Sequence, residues 1–340
     1  MRKFIIALFL MLGVMFLITR FAQLEDIVFT LESGDWRFIA LAVLTEAAWL
    51  INMGASYQAV YRALNVEESW QRLTLVAAAA NFINIVAPSA GVSGMAVFIS
   101  EAKGRNYSTG RATVASTLFI LFDYLGLLTV LVLGFAVLFR RDQVTPPEIT
   151  AAIILVVLAV VLATLIYLGA YSEQKFGKTL AWMAHTTNCL VRPFRRKKSQ
   201  PYLSEDRSFA FASEITVSLS EVRNNVKDLI YPALLSLSAK ALLVLVFYFV
   251  FRAFDVPVSI GTVIAGYCIT FLFLIVSPTP AGVGIVEGLL TLALSSFYIP
   301  LGTAAVLAIA YRGITFWLPL LFGMACFRWV GGGNNTNASP

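Results

Sequence analysis

Five ionisable residues occupy places where an apolar chain has little reason to keep them. Glu46, Asp123, Lys240 and Arg312 each lie within a long hydrophobic run, and Glu287 lies just past a Pro/Gly-broken one. A charge carried into hydrocarbon costs at least about 2.5–3.5 kcal/mol on insertion scales, so such residues are either functional or paired. Arg312, in "AIAYRGITFW", has a planar fork that can hold a phosphate with two hydrogen bonds; Lys240, in "LLSLSAKALLVL", offers the same anion a point charge. Either cation could instead neutralise Asp123 or Glu46. Glu287 falls in the first turn of a helix, where the macrodipole favours a carboxylate. It can cap that helix, face the cationic part of a lipid headgroup, or take a coupling proton.

Two distant stretches read alike, "IVAPSAGVSG" at 85–94 and "IVSPTPAGVG" at 275–284. Proline ends a helix, glycine permits reversal, and the helix that follows points free N–H groups back toward the break, an arrangement that binds anions. The candidate substrate-binding set is therefore Pro88, Ser89, Gly91, Ser93 and Gly94 in the first stretch and Pro278, Thr279, Pro280, Gly282 and Gly284 in the second. Asp123, Lys240, Glu287 and Arg312 complete it. A lone motif of this kind reads most simply as a turn outside the membrane. Written twice, it resembles the paired discontinuous helices that mark a transporter's midplane site.

The elements that must position these residues follow from composition. The chain has 340 residues, 59% hydrophobic and 13% charged, with mean hydropathy +0.81; a soluble domain is roughly 45–50% apolar and about 25% charged. An all-α polytopic membrane protein is expected, a single integral membrane domain over 1–340. About six full spans are expected, near 4–20, 36–61, 111–139, 150–171, 232–254 and 301–327, each close to the roughly 20 residues that cross a bilayer. The first is too long for the apolar core of a cleaved signal peptide and no A-x-A site follows it. Regions 73–100 and 259–298, which hold the two motifs, are read as re-entrant hairpins.

Basic residues fix the orientation. The loop 172–230 carries Lys175, Lys178, Arg192, Arg195, Arg196, Lys197, Lys198, Arg207, Arg223 and Lys227, so it is expected in the cytoplasm, as are the Arg62/Arg72 and Lys103/Arg105 linkers. The acidic first loop, with Glu25, Asp26, Glu32 and Asp35, is expected outside. These assignments agree only if the chain enters at Leu73 and returns to the same side by Lys103. The same parity brings the second motif in from the opposite face, relating the two as an inverted repeat with both termini cytoplasmic. Within the loop, Ile215, Leu219, Val222, Val226 and Leu229 share one helical face, which suggests an amphipathic helix at the membrane surface or against a neighbour. The tail, 331–340, is expected to be flexible.

Three widely spaced cysteines and one histidine, His185, leave no metal-ligand spacing, so neither a metal nor another cofactor is implied. The basic cluster "VRPFRRKK" adjoins a span without interleaved aromatics and points to topology and anionic lipid rather than nucleic acid.

"SPTPAGVGIVEG" at 277–288 resembles the P-x-P-G-G-x-G-x-x-E signature of the lysylphosphatidylglycerol synthase transmembrane region family, also called UPF0104. "NFINIVAPSAGVSG" and "NYSTGRATVASTLFILFDYLG" are similar to that family's upstream Pro/Gly region and aspartate-bearing helix. The resemblance covers most of the chain. It implies a flippase-like domain of the cell membrane, expected to be a prokaryotic plasma membrane, that moves a modified phospholipid between leaflets beside a separate lipid-modifying enzyme; an anion-holding Arg312 with a cation-holding Glu287 suits an aminoacylated or zwitterionic one. Ala281 replaces the first of the paired glycines, the first motif lacks the charged residues that often follow it, and no soluble synthetase domain follows Pro340. The alternatives are a membrane component of a lipid-linked glycosyl- or aminoacyl-transfer enzyme and a scaffold subunit. No DxD spacing or nucleophile pair supports the first of these.

Overall fold

The computed structural model describes residues 28–87, 92–105, 107–140, 144, 146–191, 205–224, 226–277 and 279–333, and every regular element among them is helical. The helices are α1 (Trp36–Ala63), α2 (Trp70–Val86), α3 (Val92–Gly104), α4 (Thr109–Arg140), α5 (Pro146–Tyr171), α6 (Glu173–Val191) and α7 (Glu205–Asn224). They continue with α8 (Ile230–Ala253), α9 (Ile260–Val276), α10 (Ile285–Ser296), α11 (Leu301–Arg312) and α12 (Leu318–Gly333), the last two joined by a π-helical turn, Gly313–Trp317. Five segments are long and apolar enough to cross a membrane: Trp36–Ala63, Thr109–Arg140, Pro146–Tyr171, Lys227–Ala253 and Leu301–Trp329. They coincide with five of the spans read from the sequence. The sixth, near 4–20, lies outside the described residues, as do 334–340 of the tail.

The chain writes one structural unit twice. Arg62-Ala63-Leu64-Asn65-Val66 closes α1 and Arg252-Ala253-Phe254-Asp255-Val256 closes α8. Asn65 and Asp255 take left-handed φ values of 54° and 51°, a conformation that asparagine and aspartate tolerate better than most residues. The Val66 N–H then donates to the Tyr61 carbonyl at 2.9 Å, and the Val256 N–H to the Phe251 carbonyl at 3.0 Å. Ser69 and Ser259 cap the next helices, their hydroxyls accepting from the Arg72 and Thr262 N–H groups at 3.3 and 3.2 Å. Beyond the motifs the likeness continues. Tyr107 N–H donates to the Ala102 carbonyl and Ile299 N–H to the Leu294 carbonyl, at 2.8 and 3.4 Å, before a final long segment begins at Thr109 or Leu301.

In each unit the two short helices fold back on one another. Arg72, at the start of α2, bonds Glu101, near the end of α3, at 2.6 Å, and Arg105 bonds Glu68 at 2.7 Å. Both open ends of this hairpin thus lie together. Pro257, Ser259 and Thr262 likewise share a cleft with Phe297, Tyr298 and Ile299 at the open end of the α9–α10 hairpin.

The two units pack head to tail. Asp35, before α1, donates its N–H to the carbonyl of Ala253, at the end of α8, at 2.8 Å; Asn52 Nδ2 donates to Ser238 Oγ at 2.5 Å. The equivalent helices α1 and α8 therefore run antiparallel. Each first half-helix packs on the last helix of the other unit with a glycine at the crossing, Gly323 against Ala78 and Gly134 against Cys268. A Cβ at Gly323 would collide with the Ala78 carbonyl.

Between the units, α6 and α7 occupy much of the segment read as a basic loop. Ile215, Leu219 and Val222 are buried, so this face packs on neighbouring helices. The expected helix is shorter than its apolar pattern: α7 stops at Asn224, and Val226–Leu229 forms a separate 3-10 turn. Glu214 caps the start of α4, accepting from Gly110 N–H at 2.8 Å and Ser108 Oγ at 2.7 Å. Burial alone would raise its pKa, but these bonds and Thr109's outweigh it and hold the carboxyl below its ordinary range.

Candidate functional site

The second break is built around Arg312. The α9 helix ends at Val276, and Ala281, Gly282 and Gly284 take φ of 51°, 72° and 81° before α10 begins. Ala281 thus adopts the left-handed conformation at the position where the family signature carries glycine, and its methyl packs against Phe316 and Trp317. Thr279 Oγ1 donates to the Val283 carbonyl at 3.1 Å, and Gly282 N–H to the Thr279 carbonyl at 3.0 Å. Glu287 accepts the Gly284 N–H at 2.7 Å with one oxygen and Arg312 Nε at 3.0 Å with the other. Arg312 Nη2 also donates to the Ala281 carbonyl at 2.7 Å, and its guanidinium lies 4.8 Å from the Phe316 ring centre. One buried cation therefore ties the turn within the break to the first turn of α10. It sits where α11 passes into the π turn, a distortion common at functional sites.

The first break is held by a residue that the sequence reading passed over. Asn84 Oδ1 accepts Ser93 Oγ at 2.8 Å and Gly94 N–H at 2.7 Å, tying the end of α2 to the start of α3. Its signal was available: a polar amide one turn before a Pro/Gly break. Pro88, Ser89, Gly91 and Pro278 lie outside the described residues, as does the Pro280 side chain.

The two motifs meet. Ile85 from the first and Ala281 and Val283 from the second all pack on Phe316 and Trp317. Beside this contact, Gly284 and Gly288 form a bare face on the first turns of α10, with open space within 4 Å of where a Cβ would stand. The N–H groups of these two glycines are already spent, Gly284's on Glu287 and Gly288's on the Gly284 carbonyl at 3.3 Å, so an anion at this face would meet the first-turn N–H groups between them.

The remaining predicted residues form a second group. Lys240 bonds Asp123, the ion-pair alternative for that lysine, with the lysine side chain 4% exposed and the aspartate 39%. Asp123 lines a narrow cleft between α1, α4 and α8 with Trp49, Asn52, Ser56 and Ser236. Arg312 does not neutralise Asp123 or Glu46 but pairs with Glu287. Glu46 has no hydrogen-bond partner among the described residues. No group of three or more metal-ligating side chains occurs among the described residues.

This geometry can be set beside known proteins. The sequence profile of the family described as the lysylphosphatidylglycerol synthase TM region matches residues 4–323. The chain belongs to that family. It is also similar to a UPF0104 membrane protein of Methanothermobacter thermautotrophicus, 21% identical over 324 residues, which covers 94% of this chain and 92% of that protein. A multi-pass membrane protein of this family is thus established, and both broken motifs and all five ionisable residues fall within the matched region.

Proposed function

We propose that this family member is a lipid translocase that moves a phospholipid, aminoacylated or zwitterionic, between the leaflets of the cell membrane. The observation that carries the reading is the convergence of Ile85, Ala281 and Val283, from the two broken motifs, on Phe316 and Trp317. Backbone that leaves helix inside hydrocarbon costs several kcal/mol per unsatisfied group unless it is enclosed by protein or lines a polar cavity. Two such breaks at one place, in units that pack antiparallel, suit alternating access by rocking one unit against the other. In this reading α2–α3 and α9–α10 are re-entrant hairpins entering from opposite faces and related as an inverted repeat. The described spans and one near 4–20 make up the full crossings.

The headgroup phosphate is taken at the start of α10 by the first-turn N–H groups between Gly284 and Gly288. Arg312 is close enough to share that charge when its bond to Glu287 opens. Glu287 and Asp123 are the carboxylates available to the cationic end of the headgroup, while the acyl chains stay in lipid. The substrate reaches the protein from the membrane after a separate lipid-modifying enzyme has acted, and no cofactor takes part.

The test is reconstitution of the purified chain into liposomes carrying headgroup-labelled lipids, followed by quenching of the outer leaflet. Quenching beyond the outer-leaflet fraction, dependent on protein, is expected. Retention of the inner-leaflet label for every phospholipid tested, or a new lipid product detected by mass analysis after adding activated donors, would count against translocation.

A further inference from the structure

Three fully buried polar side chains have no hydrogen-bond partners among the described residues. Both carboxyl oxygens of Glu46 and the hydroxyls of Tyr267 and Tyr311 are unbonded, in residues 0%, 0% and 1% exposed. Glu46 belongs to α1 in one unit, Tyr267 and Tyr311 to α9 and α11 in the other. Ala42, one turn before Glu46 on α1, packs in the same core cluster as Tyr267 and Tyr311.

The charged and titratable groups around them are committed elsewhere. Lys240 of α8 is paired with Asp123 of α4, and Arg312 with Glu287 and the Ala281 carbonyl. The Cys268 thiol of α9 points to the Val130 carbonyl at 3.4 Å. Arg72, the one ionisable residue of α2, is paired with Glu101, and the π turn carries none. An ionised carboxylate is untenable at a fully buried place where no described residue pairs with it, so the neutral acid is the form compatible with this packing.

We propose that Glu46 is a proton-binding site on the face of α1 that packs against the core holding Tyr267 and Tyr311. On release the Glu46 O–H bond breaks. The proton passes to water that reaches the carboxyl, which is left as the carboxylate. Because carboxyl and phenols belong to different units, sliding one unit on the other changes what the carboxyl faces and sets when the proton leaves. That coupling rests on the translocase reading; the proton site does not.

The test is a pH titration of the purified full chain in lipid nanodiscs, read by infrared difference spectroscopy. A carbonyl band of a neutral carboxylic acid is expected to persist at pH 7 in the parent and to be absent in Glu46→Gln. Tyr311→Phe, which removes only an unbonded hydroxyl, is expected to keep the band and shift the pH at which it disappears. If Glu46→Gln removes no such band while the variant keeps the parent's helical spectrum, the proposal is overturned; so it is if sodium at fixed pH abolishes the band, which would make the site a metal-cation site. In liposomes, lipid exchange that ignores an imposed pH gradient while the band is present would refute the coupling alone. Absence of exchange in every variant would refute the translocase reading and leave the proton site standing.

Discussion

At the residue scale, what separates a site from a staple is the number of partners an ionisable group already has. Arg312 spends two donors on Glu287 and the Ala281 carbonyl, so removing it disturbs the break before it disturbs any ligand. Charge-assisted hydrogen bonds are worth about 1.5–3 kcal/mol each. Arg312→Ala should therefore lower stability in detergent by at least about 2 kcal/mol, seen as a depressed Tm, whereas Arg312→Lys keeps the charge and one of the bonds and should lie between. A Tm equal to the parent's in Arg312→Ala would mean that the guanidinium does not hold the loop. Glu214 offers a pH test outside the spans. Its carboxyl is held below its ordinary range, so its contribution is present above the unfolded-state value and is lost as pH falls through the folded one. Glu214→Gln should flatten the acid-side fall in Tm; an unchanged acid slope would show that the cap on α4 carries no linked stability.

At the scale of elements, the sequence disclosed what breaks helices better than what rejoins them. Spans were legible because a length of about 20 apolar residues is a strong signal, and the two motifs were legible because proline and glycine punctuate helix. The repeated turns at Asn65 and Asp255 were written in the sequence too, as Arg-Ala-Leu-Asn-Val and Arg-Ala-Phe-Asp-Val, yet nothing local marks them as equivalent until both chains reverse there. Asn84 was missed because its partners, Ser93 and Gly94, lie across the break. The apolar pattern through Leu229 overran the end of α7 because hydrophobic spacing does not register a switch to a 3-10 turn. The bare face of α10 gives this scale its prediction. Gly288 is a helical residue with nothing near the position of a Cβ, so Gly288→Ala should stabilise the helix by up to about 1 kcal/mol. On the translocase reading the added methyl also obstructs the headgroup. Raised Tm with slowed lipid exchange is the expected pair of results; raised Tm with unchanged exchange would remove this face from the site.

For the whole molecule, the decisive relation is the antiparallel packing of α1 on α8. These are the first helices of two like units, and the Asp35–Ala253 and Asn52–Ser238 bonds set one against the other in opposite directions. Helices of that length that both cross a bilayer must end on opposite sides of it. In the proposed topology the turn after α1 and the equivalent turn after α8 are exposed to different compartments, and the hairpins that follow start from different faces. Glu67 and Pro257 occupy equivalent exposed places in these turns, and the orientation expected from the basic residues around Glu67 and in the loop 172–230 would have the first turn in the cytoplasm. In a functional background lacking Cys189, Cys268 and Cys326, single cysteines at Glu67, Asn106 and Ser199 should react with a membrane-impermeant maleimide only after the cytoplasmic face is opened. Cysteines at Ser33 and Pro257 should react in intact cells. Labelling of positions 67 and 106 from opposite sides would turn α2–α3 into a crossing rather than a hairpin. Labelling of 67 and 257 from the same side would contradict the antiparallel arrangement of α1 and α8, and with it the rocking of two inverted units around a shared break.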